Sequence, residues 1–298
     1  MTRPLRIGVQ LPEAERVVPW PEYRDMAVAT EQSGFDSIWV GDHLLYRSSE
    51  GTSGPWEAWS LLAAIAASTE RVQIGPLVAA TSFHSPPMLA KKAATVDEIS
   101  GGRLILGLGA GWNEAEYAAY GFPFDHRASR FEEAFTIIRT LLSEGVIDFE
   151  GTYYTARECE LIPPARPGGP PLMIGSIGPR VLQAALPHVD SWNAWFAWFD
   201  NTPEGLGPLL SQIDAACQDS GRDPAEVERT VAVMVRMPGA EGQIYGSPDR
   251  QKAAAVEAHG LSELLHAYAR LGVGHVQLVI DPITTESIEA LGKVIADM

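Results

Sequence analysis

The pair Asp42-His43 is the first place in this sequence where the residue types point to chemistry. An imidazole exchanges a proton near neutral pH, and a carboxylate can orient it and favour its charged form. Neighbouring side chains in an extended segment point to opposite sides, so Asp42 need not touch His43. A second segment, Gly175-Ser176-Ile177-Gly178-Pro179-Arg180, has the composition of an anion-binding turn. Its glycines would expose backbone N–H groups at a helix start, Ser176 adds a hydroxyl donor and Arg180 a positive charge. A third, Gly109-Ala110-Gly111-Trp112-Asn113, carries small residues that let backbone approach a flat ligand. There Trp112 would wall a pocket and Asn113 would orient a ring edge. The aromatic group Trp192, Trp195, Phe196, Trp198 and Phe199 suits a cleft for an apolar substrate or a protein interface, with Trp192 and Trp195 as candidate substrate contacts. His84, in the polar loop 81–87, is a candidate for the entrance. Each segment also has an ordinary reading, as a tight βα turn or as core packing.

These residues need elements to position them. Short apolar runs at 5–10, 37–41, 72–78, 104–108, 171–175, about 189–195, 230–236 and 275–280 read as strands. Most are continuous rather than alternating, the pattern of parallel strands covered on both faces. Helices are expected between them, at 21–33, 56–69, 86–100, 130–144, 179–187, 203–220, 250–271 and 284–297. In 130–144, Phe131, Phe135, Ile138 and Leu142 share a face, Ser129 with Glu132 has the capping-box pattern, and Gly145 supplies the stop. Eight strand–helix units in about 300 residues predict an α/β fold of the (β/α)8 TIM-barrel type, as one domain over 1–298. A doubly wound sheet would carry a G-x-G-x-x-G turn after the first strand, where this chain has Gln10-Leu11-Pro12. Residues 146–170, with a hairpin pattern at 148–154 and a Pro/Gly-rich stretch, read as an insertion between the fourth helix and the fifth strand. In such barrels chemistry sits at the C-terminal ends of the strands, and the candidate segments all follow strands. Phosphate sites usually follow strands seven and eight, so an anion turn after strand five is off the usual position.

Composition sets further bounds. With 22 Lys plus Arg against 38 Asp plus Glu, the formal net charge is −16, which argues against general nucleic-acid or anionic-membrane binding. Two cysteines, Cys159 and Cys217, without short spacing suit neither a disulfide scaffold nor a Cys-rich zinc site. The histidine spacings match no metal signature, so no metal is expected. The start of the chain has no signal-peptide pattern and no apolar run long enough to span a membrane, so a cytoplasmic location is expected.

The ordered set of segments resembles the bacterial luciferase-like monooxygenase family, and within it the deazaflavin-dependent branch. The resemblance rests on Arg6-Ile-Gly-Val-Gln-Leu-Pro12, Gly34 to His43, Ala93 to Arg103, Leu106 to Glu116, Arg130-Phe-Glu-Glu133 and Pro171 to Pro179, and covers residues 5–297. It implies a luciferase-like barrel with an insertion, often dimeric, binding coenzyme F420 or FMN and acting on a small-molecule substrate. It implies that His43 assists proton transfer while hydride moves to or from the ring, with Asp42 as local electrostatic support. It implies a cis peptide at Leu77–Val78 against the ring, and phosphate held by Gly175, Ser176, Ile177, Gly178 and Arg180, with Gly109, Trp112 and Asn113 around the ring. The sugar-phosphate branch has an acidic residue near the position of Trp112, so that specificity is not carried over. The leading expectation is an F420-dependent oxidoreductase; the alternatives are an FMN-dependent monooxygenase using O2, a flavin-binding protein without turnover, and a non-redox barrel enzyme. F420 carries a phosphate and a glutamate tail, so an acidic chain should hold it through a confined positive site near Arg180.

Overall fold

A computed structural model describes residues 3–49, 51–240 and 256–298. Eight parallel barrel strands carry the fold: β1 (Arg6–Gln10), β2 (Ser37–Val40), β3 (Gln73–Pro76, continuing at Ala79–Ala80), β4 (Leu106–Gly109), β5 (Leu172–Ile174), β6 (Ser191–Ala194), β7 (Glu228–Arg236) and β8 (Val273–Asp281). Their order around the sheet is β3-β2-β1-β8-β7-β6-β5-β4. The ring returns on itself where Ala79 and Ala80 pair with Leu108 and Gly109 and where Ile74 bridges Leu104. This is the expected TIM-barrel architecture. The continuous apolar runs are explained by it, since one face of each strand fills the barrel and the other meets the helices.

The helix layer comprises α1 (Trp20–Gln32), α2 (Ala58–Ser68), α3 (Pro86–Ser100), α4 (Glu114–Tyr120), α5 (Arg127–Glu144), α6 (Pro179–Ala185), α7 (Pro203–Asp219), α8 (Leu261–Arg270) and α9 (Thr285–Ala296). The apolar stripe predicted for α5, Phe131, Phe135, Ile138 and Leu142, is buried, and so are Ile288, Leu291 and Ile295, which share a face of α9. Two helix expectations need correction. The run at 250–271 yields a helix only from Leu261, preceded by a short strand at Val256–Glu257, and its residues 250–255 lie outside the described residues. The capping box at Ser129 and Glu132 does not form, because α5 starts a turn earlier at Arg127, with His126 as its N-cap. Both side chains lie inside the helix and are used on Arg180 instead.

Two hairpins interrupt the alternation. The expected one, Val146–Glu150 against Thr155–Glu160, is antiparallel and docks on α5, where the Glu133 carboxylate accepts the backbone N–H groups of Thr152, Tyr153 and Tyr154. The other, Tyr46–Ser48 against Gly51–Ser53, follows β2 directly and was not read from the sequence. It sets Tyr46 beside the Asp42-His43 segment.

Candidate active site

The C-terminal ends of the strands surround a cavity of about 550 Å³, within the range of small-molecule and cofactor sites. His43 is its central titratable group. Its Nδ1 lies 2.9 Å from Glu116 Oε1, and the other Glu116 oxygen accepts the Leu44 N–H at 2.9 Å. An ionised carboxylate only accepts, so Nδ1 carries a proton toward Glu116 and Nε2 is left for the cavity, 3.9 Å from Glu13 Oε1. Burial pulls the His43 pKa down. The negative charge of Glu13, the hydrogen bond to Glu116 and the charges of Glu116 and Asp42 outweigh it and leave the pKa above the ordinary 6.5. Nucleophile and base chemistry often uses a histidine oriented by a carboxylate on its far nitrogen, and His43–Glu116 has that form.

The direct partner of His43 is therefore Glu116 and not Asp42. Asp42 Oδ2 accepts the Ala80 N–H and faces His84 Nε2, both at 3.0 Å. Lys92 Nζ lies 3.4 Å from His84 Nδ1, which leaves the Nε2 proton for Asp42. His84 is thereby held behind Asp42 and does not line the cavity, contrary to its expected place at the entrance. The backbone tie from Asp42 to Ala80 anchors the end of β2 against the second half of β3, beside His43.

The Leu77–Val78 peptide bond is cis, and both residues line the cavity. Three glycines make room for the Val78 side chain. A Cβ on Gly107 would sit 2.9 Å from Val78 Cγ1, one on Gly109 2.8 Å from Cγ2, and one on Gly175 3.0 Å from both. The glycines that resembled ligand-approach loops thus also seat one valine on the cavity wall. Gly109, Trp112, Gly175, Ser176, Ile177, Gly178 and Trp195, candidate ligand contacts from the sequence, all line this cavity.

Other expectations fail for identifiable reasons. Trp192 is fully buried in the layer between barrel and helices, where its Nε1 donates to the Ser176 carbonyl at 2.8 Å. Along β6 the side chains alternate, so Asn193 and Trp195 face the cavity and Trp192 does not. Asn113 is not among the lining residues; its amide donates to the Leu45 carbonyl at 2.8 Å and ties the β2 loop to the start of α4. Arg180 is also outside the lining: its guanidinium is engaged by Glu132, at 2.6 Å, and by Ser129. The expected positive site is accordingly not formed by Arg180, and among the described residues no lysine or arginine lines the cavity.

Functional groups that sequence reasoning missed are carboxylates. Glu13 accepts the Tyr46 O–H at 2.6 Å and the Gln10 amide at 3.0 Å. Glu15 accepts the Glu13 backbone N–H at 2.6 Å. Burial, together with the charges of Glu13 and Asp281, pushes the Glu15 carboxyl up to about 7. Burial and the Glu13 charge also push the Tyr46 phenol well above its usual range. The available signal was the position of Glu116 beside Tyr117, the two buried residues of a short α4 whose other residues are exposed or half-buried, since a carboxylate on the core face of a helix needs a partner.

Comparison with known proteins places this site in context. The chain is 37% identical over 167 residues to an F420-dependent glucose-6-phosphate dehydrogenase of Amycolatopsis mediterranei, covering 54% of this chain and 49% of that one. It is 31% identical over 227 residues to a phthiodiolone/phenolphthiodiolone dimycocerosates ketoreductase of Mycobacterium tuberculosis, covering 70% of this chain and 58% of that one. The chain thus spans about half the length of the first relative and under two thirds of the second. Its fold matches an F420-dependent secondary alcohol dehydrogenase, solved with an F420-acetone adduct, with a TM-score of 0.81 at 19% identity over 98% of both chains. Residues 4–241 match the model of the luciferase-like monooxygenases, and with a barrel of that fold around the same segments, the chain belongs to the luciferase-like monooxygenase family.

Proposed function

We propose that this chain is an oxidoreductase that moves hydride between coenzyme F420 and a small organic substrate, with His43 handling the accompanying proton. The observation that carries the reading is the His43–Glu116 pair, with Nδ1 held at 2.9 Å and Nε2 left to the same cavity that Leu77, Val78, Gly109 and Gly175 line. The cavity suits a flat ring: Val78 is seated between glycines, and Trp195 and Trp112 also line the space. The bound coenzyme supplies the ring carbon that gives or takes hydride. His43, whose pKa the neighbouring carboxylates raise above its ordinary value, offers Nε2 to carry a proton to or from the substrate heteroatom. Glu116 keeps the ring in that orientation and Asp42 fixes the adjoining backbone. Ser176 Oγ accepts the Gly178 N–H at 3.1 Å, which leaves its own O–H free to donate to a ligand in the cavity that Ser176 lines.

The relatives with F420-dependent activity support this choice of coenzyme. The test is titration of the purified protein with F420 and, separately, with FMN, followed by absorbance and fluorescence. Saturable F420 binding is expected. Saturable FMN binding without F420 binding replaces the proposal with the oxygen-using monooxygenase, and binding of neither ring removes both. A His43→Ala protein that binds F420 yet retains full substrate-dependent turnover would reject the role given to His43.

A further inference from the structure

We propose that a second cavity, at the opposite end of the barrel from His43, is a binding site for hydrogen phosphate. It has a volume of about 340 Å³ and lies at the N-terminal ends of β5 and β6. Its lining includes Arg139 and Ser143 of α5, His188 and Asp190 of the segment entering β6, and Arg222 of the segment entering β7. Barrel chemistry sits at the other end of the strands, so this cavity is separate from the one around His43. In a chain of net charge −16, two arginines and a histidine converge here around a single carboxylate, that of Asp190, among the described residues.

Arg139 carries the argument. Its side chain is half-buried, yet its guanidinium donates to no acceptor among the described residues. Every other buried or half-buried arginine among them donates to a carboxylate or a carbonyl oxygen. Nε of Arg139 is buried, whereas its two terminal nitrogens, equally without a partner, stay open to a ligand. Half-burying a guanidinium without an acceptor costs free energy that an oxyanion in the cavity would offset. Arg222 is held in place by its own contacts: Nη1 donates to the Pro187 carbonyl at 2.8 Å and Nε lies 2.6 Å from Glu226 Oε2, which leaves Nη2 for the cavity. Burial, and then the charges of Arg139 and Arg222, push the His188 imidazole below its ordinary 6.5, as two guanidinium groups close to one ring should. A neutral imidazole adds one N–H donor to the forks of the two arginines, whose geometry matches paired oxygens.

Asp190 selects among oxyanions. Its Oδ2 accepts the Leu172 N–H at 2.7 Å, and its Oδ1 has no donor among the described residues. A carboxylate repels a fully ionised oxyanion such as sulfate, but it accepts the P–O–H of hydrogen phosphate. The arginines take the ionised oxygens of the same ion. A phosphate monoester dianion lacks that proton and meets the repulsion that sulfate meets.

The test is isothermal calorimetry on the full chain, in chloride buffer at mildly alkaline pH and fixed ionic strength, with sodium phosphate, sodium sulfate and methyl phosphate. Phosphate is expected to bind at least about tenfold more tightly than either of the others. Arg139→Gln and Arg222→Gln should each weaken phosphate binding at least about tenfold. Asp190→Asn, whose amide can donate, should bring sulfate level with phosphate. Thermal melts identify a variant that fails to fold, and the remaining ones then decide. Phosphate bound by the 175–178 turn instead would survive both arginine changes, so the variants also separate the two cavities. No phosphate binding to the unaltered chain, sulfate or methyl phosphate bound as tightly as phosphate, phosphate affinity unchanged in the folded arginine variants, or sulfate affinity unchanged in folded Asp190→Asn overturns the proposal.

Discussion

Glu116→Gln removes one negative charge from the far side of His43 and leaves the shape of the site almost intact. Two donors converge on this carboxylate, His43 Nδ1 at 2.9 Å and the Leu44 N–H at 2.9 Å. A carboxylate accepts both, whereas a glutamine amide has one oxygen and one NH2 group. The Leu44 N–H is fixed in the backbone, so the amide oxygen should turn to it and the NH2 group to His43. Nδ1 must then accept, which selects the neutral ring with its proton on Nε2. A hydrogen bond to a charged group contributes about 1.5–3 kcal/mol and a neutral one about 0.5–1.5, so losing the charge alone costs protonated His43 roughly 1–1.5 kcal/mol. At 1.36 kcal/mol per pKa unit this is about one unit downward, and the reversed donor adds to it.

The assay is an NMR titration of labelled histidines, with the His43 resonance assigned by its absence from His43→Gln. Wild-type His43 titrates above 6.5, the ordinary value, and the Glu116→Gln signal should move down by at least about one unit. A group whose folded pKa is raised adds stability below its unfolded pKa and loses that contribution as pH rises through the folded value. The variant's thermal deficit should therefore be largest near pH 5–6 and shrink above the wild-type His43 pKa. In the direction where His43 donates its proton, the alkaline limb assigned to His43 in the pH profile of kcat/KM should move with the titration. An unchanged or raised His43 pKa in a folded Glu116→Gln protein refutes the pairing as the source of the shift.

Three further outcomes are expected. Glu15 is held at about 7 in the fold against 4.5 in the unfolded chain, so the folded state binds the extra proton and stability falls as pH rises between these values. Glu15→Gln should remove up to about 3 kcal/mol of that fall, so its melting temperature relative to wild type should rise from pH 4 to pH 8; a flat difference refutes it. Gly109→Ala places a methyl 2.8 Å from Val78 Cγ2, and overpacking of this kind costs about 1–3 kcal/mol. Denaturant melts should show that loss together with weaker F420 binding, and an unperturbed affinity would show that Val78 does not shape the ring site. Arg180→Ala breaks an exposed pair with Glu132, so denaturant melts should register under about 1 kcal/mol. F420 affinity should change little, and a large loss there would restore Arg180 as a phosphate ligand.

The barrel was legible because its signals are local. Continuous apolar runs such as Val72 to Val78 and Thr230 to Arg236 report two-sided burial without knowledge of what covers them. The glycines at 109 and 175 were legible as parts of candidate ligand loops, although the atoms that approach them proved to include Val78. The partners of each charge were not legible, because they are set by the fold. His43 meets Glu116 across 73 positions and Arg180 meets Glu132 across 48. The guanidinium at a helix start looks available for an anion until the second helical turn of the neighbouring α5 supplies its carboxylate. Trp192 shows the same limit on a smaller scale. Strand periodicity fixes that it and Asn193 face opposite ways, but only the placement of the helix layer decides which of them is inside.

The net charge of −16 led to the expectation of a confined positive site for an anionic coenzyme. The cavity instead combines the carboxylates Glu13, Glu15, Asp42, Glu116 and Asp281 with neutral groups at Gly175, Ser176 and Trp195. Under the proposed function, a phosphate-bearing tail would be repelled by the carboxylates and would have to be met by hydroxyl and backbone donors such as those at 175–178. The same field acts on His43, which the Glu13 charge keeps inclined to hold its proton. The acidity of the chain therefore bears on the site through His43, whose pKa the neighbouring carboxylates raise, and through the repulsion that an anionic ligand would meet from them. That repulsion adds a physical argument to the one Trp112 gave for setting sugar phosphates aside.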